Sequence, residues 1–125
     1  MAKILVVEDD TFLCSLLAQN LKVAGFDVAT ASDGNKAIEV VHSFHPDVIL
    51  LDLIMPIKDG YGVLEDIHAE GGAVSKIPII VLSNLSNDKD VARARKYHIT
   101  DFLVKANTTP QEITHRMKTL LNSPS

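Results

Sequence analysis

The chain has 125 residues, 46% of them apolar, a formal net charge of −4 and one cysteine. That length suits one compact domain and is short for two. No apolar run nears the roughly 20 residues of a membrane-crossing helix, and Lys and Arg are scattered rather than clustered as phosphate-backbone binding requires. Met1-Ala2-Lys3 leads straight into a strand rather than a signal-peptide hydrophobic region. The lone Cys14 falls in an apolar helical pattern, which reads as a small core residue in a reducing compartment. The expectation is a cytoplasmic protein that contacts neither membrane nor nucleic acid directly.

The first element is the run Ile4-Leu5-Val6-Val7, which ends abruptly in three carboxylates, Glu8, Asp9 and Asp10. Leu13, Leu16, Leu17, Leu21 and Ala24 then recur at helical spacing as far as Gly25. Phe26-Asp27-Val28-Ala29 predicts a second strand, and Ala37, Ile38, Val41 and Phe44 a second helix stopped by Pro46. Val48 to Leu51 is a third strand running into Asp52. The Asp59-Gly60 turn opens a third helix, marked by Val63, Leu64 and Ile67 and stopped at Gly71-Gly72. Ile79 to Leu82 predicts a fourth strand ending at Ser83, followed by a helix from about Asn87 to Tyr97. Phe102-Leu103-Val104 is a fifth strand ending at Lys105. Thr109-Pro110-Gln111-Glu112 is a capping box with Pro at the first helical position, ahead of Ile113, Met117, Leu120 and Leu121. The last four residues, Asn122-Ser123-Pro124-Ser125, read as a ragged tail.

Strict alternation of this kind means right-handed crossovers and a parallel sheet with helices on both faces, and strands buried on both sides read as unbroken apolar runs. In such a sheet the site lies beyond the carboxyl ends of the strands, where strand order reverses. Strands one and three meet there, which brings Glu8 and Asp9 to Asp52. Two carboxylates about 4 Å apart repel by roughly 4 kcal/mol at an effective dielectric of 20. A hard divalent cation offsets that cost, and Mg²⁺ takes one or two carboxylates together with waters and a phosphate oxygen.

The stretches "KILVVEDD", "DVILLDLIMPIKDGYGVL", "IPIIVLSN" and "DFLVK" resemble, in order and spacing, the blocks of the response-regulator receiver domain of two-component signalling, over nearly the whole chain. The resemblance implies one receiver domain over residues 1–125, an α/β (βα)₅ flavodoxin-like fold with strand order 2-1-3-4-5. It implies that Asp52 is the phosphoacceptor, Asp9 a direct Mg²⁺ ligand, Glu8 a ligand through water and the Ile54 carbonyl a further ligand. Ser83 would be the switch hydroxyl, Phe102 the switch aromatic and Lys105 the phosphoryl-contacting lysine, while Asp10 would cap the first helix. A sensor histidine kinase or histidine phosphotransfer protein would be the donor. The output would be a downstream protein, met by a monomer or a weak phosphorylation-dependent dimer through the fourth helix, fifth strand and fifth helix. Such a chain is a signalling receiver rather than an enzyme, catalysing only its own phosphorylation and dephosphorylation.

The chemistry is consistent with those roles. Phosphoryl transfer passes through a loose transition state with dispersed negative charge, so it needs positioning and cations, which Mg²⁺ and Lys105 would supply. Ser83 has no histidine base and is a donor rather than a nucleophile. A flavin carrier of similar fold needs a first loop rich in Gly, Ser or Thr, and three carboxylates would repel its phosphate. A haloacid-dehalogenase-type phosphatase needs Asp-x-Asp after the first strand, where this chain has Glu8 and Asp10 around Asp9. The remaining alternative is a receiver-like binding module that is no longer phosphorylated. His42 and His45 lack a third ligand and read as surface residues; His68, His98 and His115 read as isolated. Three positions depart from the family pattern: Lys105 precedes Ala106 rather than proline, Asn84 follows the switch hydroxyl where a small residue is usual, and His98 replaces the usual glycine before the fifth strand.

Overall fold

All five apolar runs form strands, and they pair in parallel in the order β2-β1-β3-β4-β5. The structure is a computed structural model that describes residues 1–85 and 87–121. The strands are β1 (Lys3–Val7), β2 (Asp27–Ala31), β3 (Val48–Leu51), β4 (Ile79–Ser83) and β5 (Asp101–Val104). The helices are α1 (Thr11–Val23), α2 (Gly34–Phe44), α3 (Gly60–Glu70), α4 (Asp88–Arg95) and α5 (Pro110–Leu121). Short 3₁₀ turns cover Val74–Lys76 and Lys105–Asn107. The expected tail, Asn122 to Ser125, lies outside the described residues.

Successive side chains of a strand point to opposite faces, and the core divides accordingly. Ile4, Val6, Val48, Leu50, Ile80 and Leu82 meet Leu17 and Leu21 of α1 and Ile113 and Met117 of α5. Leu5, Val7, Ile49, Leu51 and Val81 face α2, α3 and Ala94 of α4. β1, β3 and β4 are buried along almost their whole length, which is why they lack alternation in the sequence. Edge strand β2 is only partly buried and runs two residues beyond the expected Ala29; Phe26 precedes it as a buried loop residue, its N–H donating to the Leu21 carbonyl at 3.1 Å.

Caps set the helix starts. Asp10, Asp33, Asp59 and Asn87 each accept a backbone N–H three residues on, at 2.9–3.1 Å, which satisfies donors that the first turn leaves orphaned. The Thr109 box closes as predicted: Thr109 Oγ1 accepts the Glu112 N–H at 3.1 Å and Glu112 Oε1 accepts the Thr109 N–H at 3.3 Å. α4 is shorter than expected, with Asn87 as cap and Tyr97 beyond its end. Among the described residues, three non-glycine residues adopt left-handed backbone: His45, Ile57 and His98.

Candidate functional site

β1 and β3 are paired in register, Val7 opposite Leu51, so the residues that follow them emerge side by side. The Asp52 N–H donates to the Val7 carbonyl at 3.0 Å, extending the ladder one step and fixing Asp52 beside Glu8. Carboxylate oxygens of Glu8, Asp9 and Asp52 all lie within 4.8 Å of one another. Glu8 and Asp52 are 3% and 4% exposed, whereas Asp9 faces solvent. Asp10 turns away to cap α1, as expected.

Gly60, the first residue of α3, presses against the backbone of Asp52 and Leu53; a Cβ there would stand 2.6 Å from Leu53 Cα. The Gly60 N–H donates to the Leu53 carbonyl at 3.0 Å. The loop is thereby folded back beneath Asp52, whose Oδ1 accepts the Ile54 N–H at 3.2 Å.

One ammonium bridges two buried carboxylates. Lys105 Nζ stands 2.6 Å from Glu8 Oε1 and 2.9 Å from Asp52 Oδ2. The contact with Asp52 is an aligned hydrogen bond, but Glu8 Oε1 has a neighbouring charge without an aligned donor. Burial pushes the Glu8 carboxyl above its ordinary value of 4.5; the contact with Lys105 and the Asp10 N–H work against that rise, and Asp52 reinforces it. For Lys105, burial alone would lower the value, and the contacts with Glu8 and Asp52 override it to leave the ammonium raised above 10.5. Two buried carboxylates and an exposed one, with oxygens within 4.8 Å of one another, make the donor set of a hard cation. Glu8, Asp9 and Asp52 therefore fit Mg²⁺.

Ser83 is fully buried at the end of β4, and its Oγ accepts the Leu85 N–H at 3.2 Å. Phe102 is half-buried in β5, packed against the α2–α4 side of the core. Ile54 is 55% exposed beside Asp52, whereas Leu85 is half-buried against the same core layer. Glu8, Asp9, Asp52 and Lys105 thus gather at the carboxyl end of the sheet, Ser83 ends β4, and Phe102 lies within edge strand β5. Cys14 is half-buried, and burial together with Glu8 pushes its thiol up, away from nucleophilic use.

The family model for the response regulator receiver domain matches residues 4–118. The chain belongs to that family. It is 35% identical over 119 residues to a protein from Porphyridium aerugineum named "Probable transcriptional regulator ycf27", covering 95% of this chain and 48% of the relative. The chain thus spans about half the length of the curated relatives it matches. The receiver domain of Francisella response regulator 1452 superposes with a TM-score of 0.87 at 26% identity, covering 98% of each chain. The Mn²⁺-bound form of response regulator Rcp1 gives 0.82 at 25% identity over 100% of this chain and 97% of that one. As a receiver domain, the chain is a module of two-component signalling of the phosphorylation-switch kind.

Sequence reasoning missed four features. Tyr61, 5% exposed, donates its hydroxyl to the Asp90 carbonyl at 3.1 Å, and the Arg93 guanidinium lies 3.8 Å over its ring, so α3 holds α4. Val63, Leu64 and Ile67 marked that helix in the sequence, and Tyr61 was not among them. His68 and His98 are not isolated: their ring centroids are 6.3 Å apart, and His68 meets the Tyr97 ring edge-on at 6.0 Å. Asn84 and Ala106 are bonded to each other. His42 pairs with Glu70 at 2.6 Å on the surface.

Proposed function

We propose that this chain is a phosphorylation-activated switch whose phosphoacceptor is Asp52 and whose donor is a phosphohistidine on a sensor kinase or a phosphotransfer protein. The observation that carries the reading is a buried aspartate sharing one lysine with Glu8 and lying within 4.8 Å of two further carboxylates. An Asp52 oxygen forms the bond to phosphorus as the donor's phosphorus–nitrogen bond breaks. Lys105 remains protonated and follows the charge from the carboxylate to the phosphoryl oxygens. Mg²⁺, held by Glu8, Asp9, Asp52 and the Ile54 carbonyl, would supply further positive charge to those oxygens.

Once the phosphoryl group is in place, the Ser83 hydroxyl, whose oxygen accepts the Leu85 N–H, donates to a phosphoryl oxygen, the loop after β4 shifts, and Phe102 follows into the space vacated. The α4–β5–α5 face then presents a changed surface to a partner protein. The relatives' names support transcription as one destination of the signal, and the expectation of no nucleic acid draws no support from them. The reading treats residues 1–125 as one receiver unit acting in the cytoplasm; none of the described helices is long and apolar enough to cross a membrane.

Incubation with Mg²⁺ and acetyl phosphate, followed by intact-mass measurement, tests the assignment. One phosphoryl group on wild type, none on Asp52→Asn and none in EDTA is the expected result. Equal labelling of the Asn variant overturns it.

A further inference from the structure

Two departures from the family pattern turn out to be one feature. The loop after β5 opens with the 3₁₀ turn Lys105–Asn107, whose leading N–H groups have no partner within the turn. Val104, at the capping position, has no side-chain hydrogen bond to offer. The Ala106 N–H instead donates to Asn84 Oδ1 at 3.1 Å, from a residue 22 positions earlier in the loop after β4. A proline at 106 would have no N–H to satisfy; an alanine does, and Asn84 satisfies it.

The other bonds of this loop close it on itself. The Thr108 N–H donates to the Lys105 carbonyl at 3.3 Å, and Thr108 Oγ1 donates to the Val104 carbonyl at 2.9 Å. Among the described residues, the Asn84 bond is the hydrogen bond that ties this loop to the one after β4. Ala106 immediately follows Lys105, whose ammonium reaches Glu8 and Asp52. Asn84 immediately follows Ser83.

We propose that Asn84 is a positioning residue for Lys105: by accepting the Ala106 N–H it holds the loop that presents the lysine to Asp52, and it yokes that loop to the one carrying Ser83. The two groups that meet the phosphoryl group then move together, because a shift of the loop after β4 draws the loop after β5 with it. The catalytic consequence rests on Asp52 being the phosphoacceptor; the hydrogen bond itself does not.

The test uses Asn84→Ala, Ala106→Pro, the double variant, and Asn84→Asp as an acceptor-conserving rescue. In unphosphorylated, Mg²⁺-free protein, amide exchange at Ala106 should accelerate by about 10-fold in Asn84→Ala and return towards wild type in Asn84→Asp. The initial rate of labelling by acetyl phosphate should fall by about 3- to 10-fold in Asn84→Ala. Removing Asn84 in the Ala106→Pro background should produce no further fall. Unchanged Ala106 exchange in Asn84→Ala, or a multiplicative loss in the double variant, overturns the proposal. If wild type is not labelled while exchange still depends on Asn84, the phosphoacceptor reading fails and the catalytic consequence goes with it, leaving the loop contact intact. The two failures are thereby told apart.

Discussion

Replacing Lys105 with methionine isolates the electrostatic cost of the site. The substitution keeps most of the aliphatic stem and removes the ammonium between Glu8 Oε1 and Asp52 Oδ2. Two carboxylates 3% and 5% exposed at their side chains are then left within 4.8 Å of each other. At that separation and an effective dielectric of about 20, their repulsion is about 3.5 kcal/mol, in line with the cost of about 3–5 kcal/mol for removing one partner of a buried pair. Lys105→Met should therefore lose about 3 kcal/mol of stability in EDTA at pH 7, read as a lower urea midpoint at unchanged slope. Saturating Mg²⁺ should return a large part of that loss by binding the folded state alone. The sign with pH follows from the directions of the shifts. The Lys105 value is raised when folded, so its contribution is fully present below 10.5 and disappears only as pH rises through the raised value. Neutral pH therefore reports it whole. The Glu8 value is also raised, so its ionisation penalises the folded state above that value, more so once the lowering contact with Lys105 is gone. The variant's deficit in EDTA should accordingly shrink as pH falls through the raised Glu8 value towards 4.5. An unchanged urea midpoint in EDTA, or the same loss with and without Mg²⁺, would refute the argument.

Two further outcomes are expected. Ile54 and Leu85, two residues beyond Asp52 and Ser83, cannot hydrogen-bond an attacking water, so the phosphoryl group on Asp52 should be long-lived for a receiver; Ile54→Asn and Leu85→Glu should each hasten its decay by intact mass, and further together, and wild-type decay in both at saturating Mg²⁺ would show that water access there does not set the lifetime. His98 holds a left-handed backbone at φ 59° after the end of α4; His98→Gly should relieve about 1 kcal/mol and raise Tm by about 4 °C, whereas a lower Tm would mean that contact with the His68 ring outweighs the strain.

The core strands were legible because they are buried on both faces, and the helix starts because Asp10, Asp59, Asn87 and Thr109 carry the short-range chemistry of caps. The site residues were legible because a parallel sheet brings strand ends together wherever they lie in the chain. Edge strand β2 was misjudged at both ends, since half-buried Val28 and Ala29 give way to exposed Thr30 and the apolar signal fades. The left-handed residues Ile57, His45 and His98 were not read from the sequence, because none is the glycine or asparagine that usually marks such a position. Asn84 and Ala106 each stood out singly, yet their bond depends on two loops approaching across the sheet. Lys105 was expected to face a phosphoryl group; its pairing with Glu8 as well as Asp52 is how the site balances charge within the protein itself.

The clamp of Tyr61 on α4 holds the helix that buries the fewest of its own residues. α4 has eight residues and buries only Ala94 fully, well below the roughly 12–15 residues at which a free helix begins to hold in water. It persists because one aromatic side chain grips it through a carbonyl and a guanidinium. That side chain follows Gly60, whose backbone lies against Asp52. Local opening of α4 therefore costs a small part of the global unfolding free energy. One ring thus ties the helix with the least buried surface of its own to the turn that folds beneath Asp52, so loosening Tyr61 should free α4 before it disturbs the strand ends.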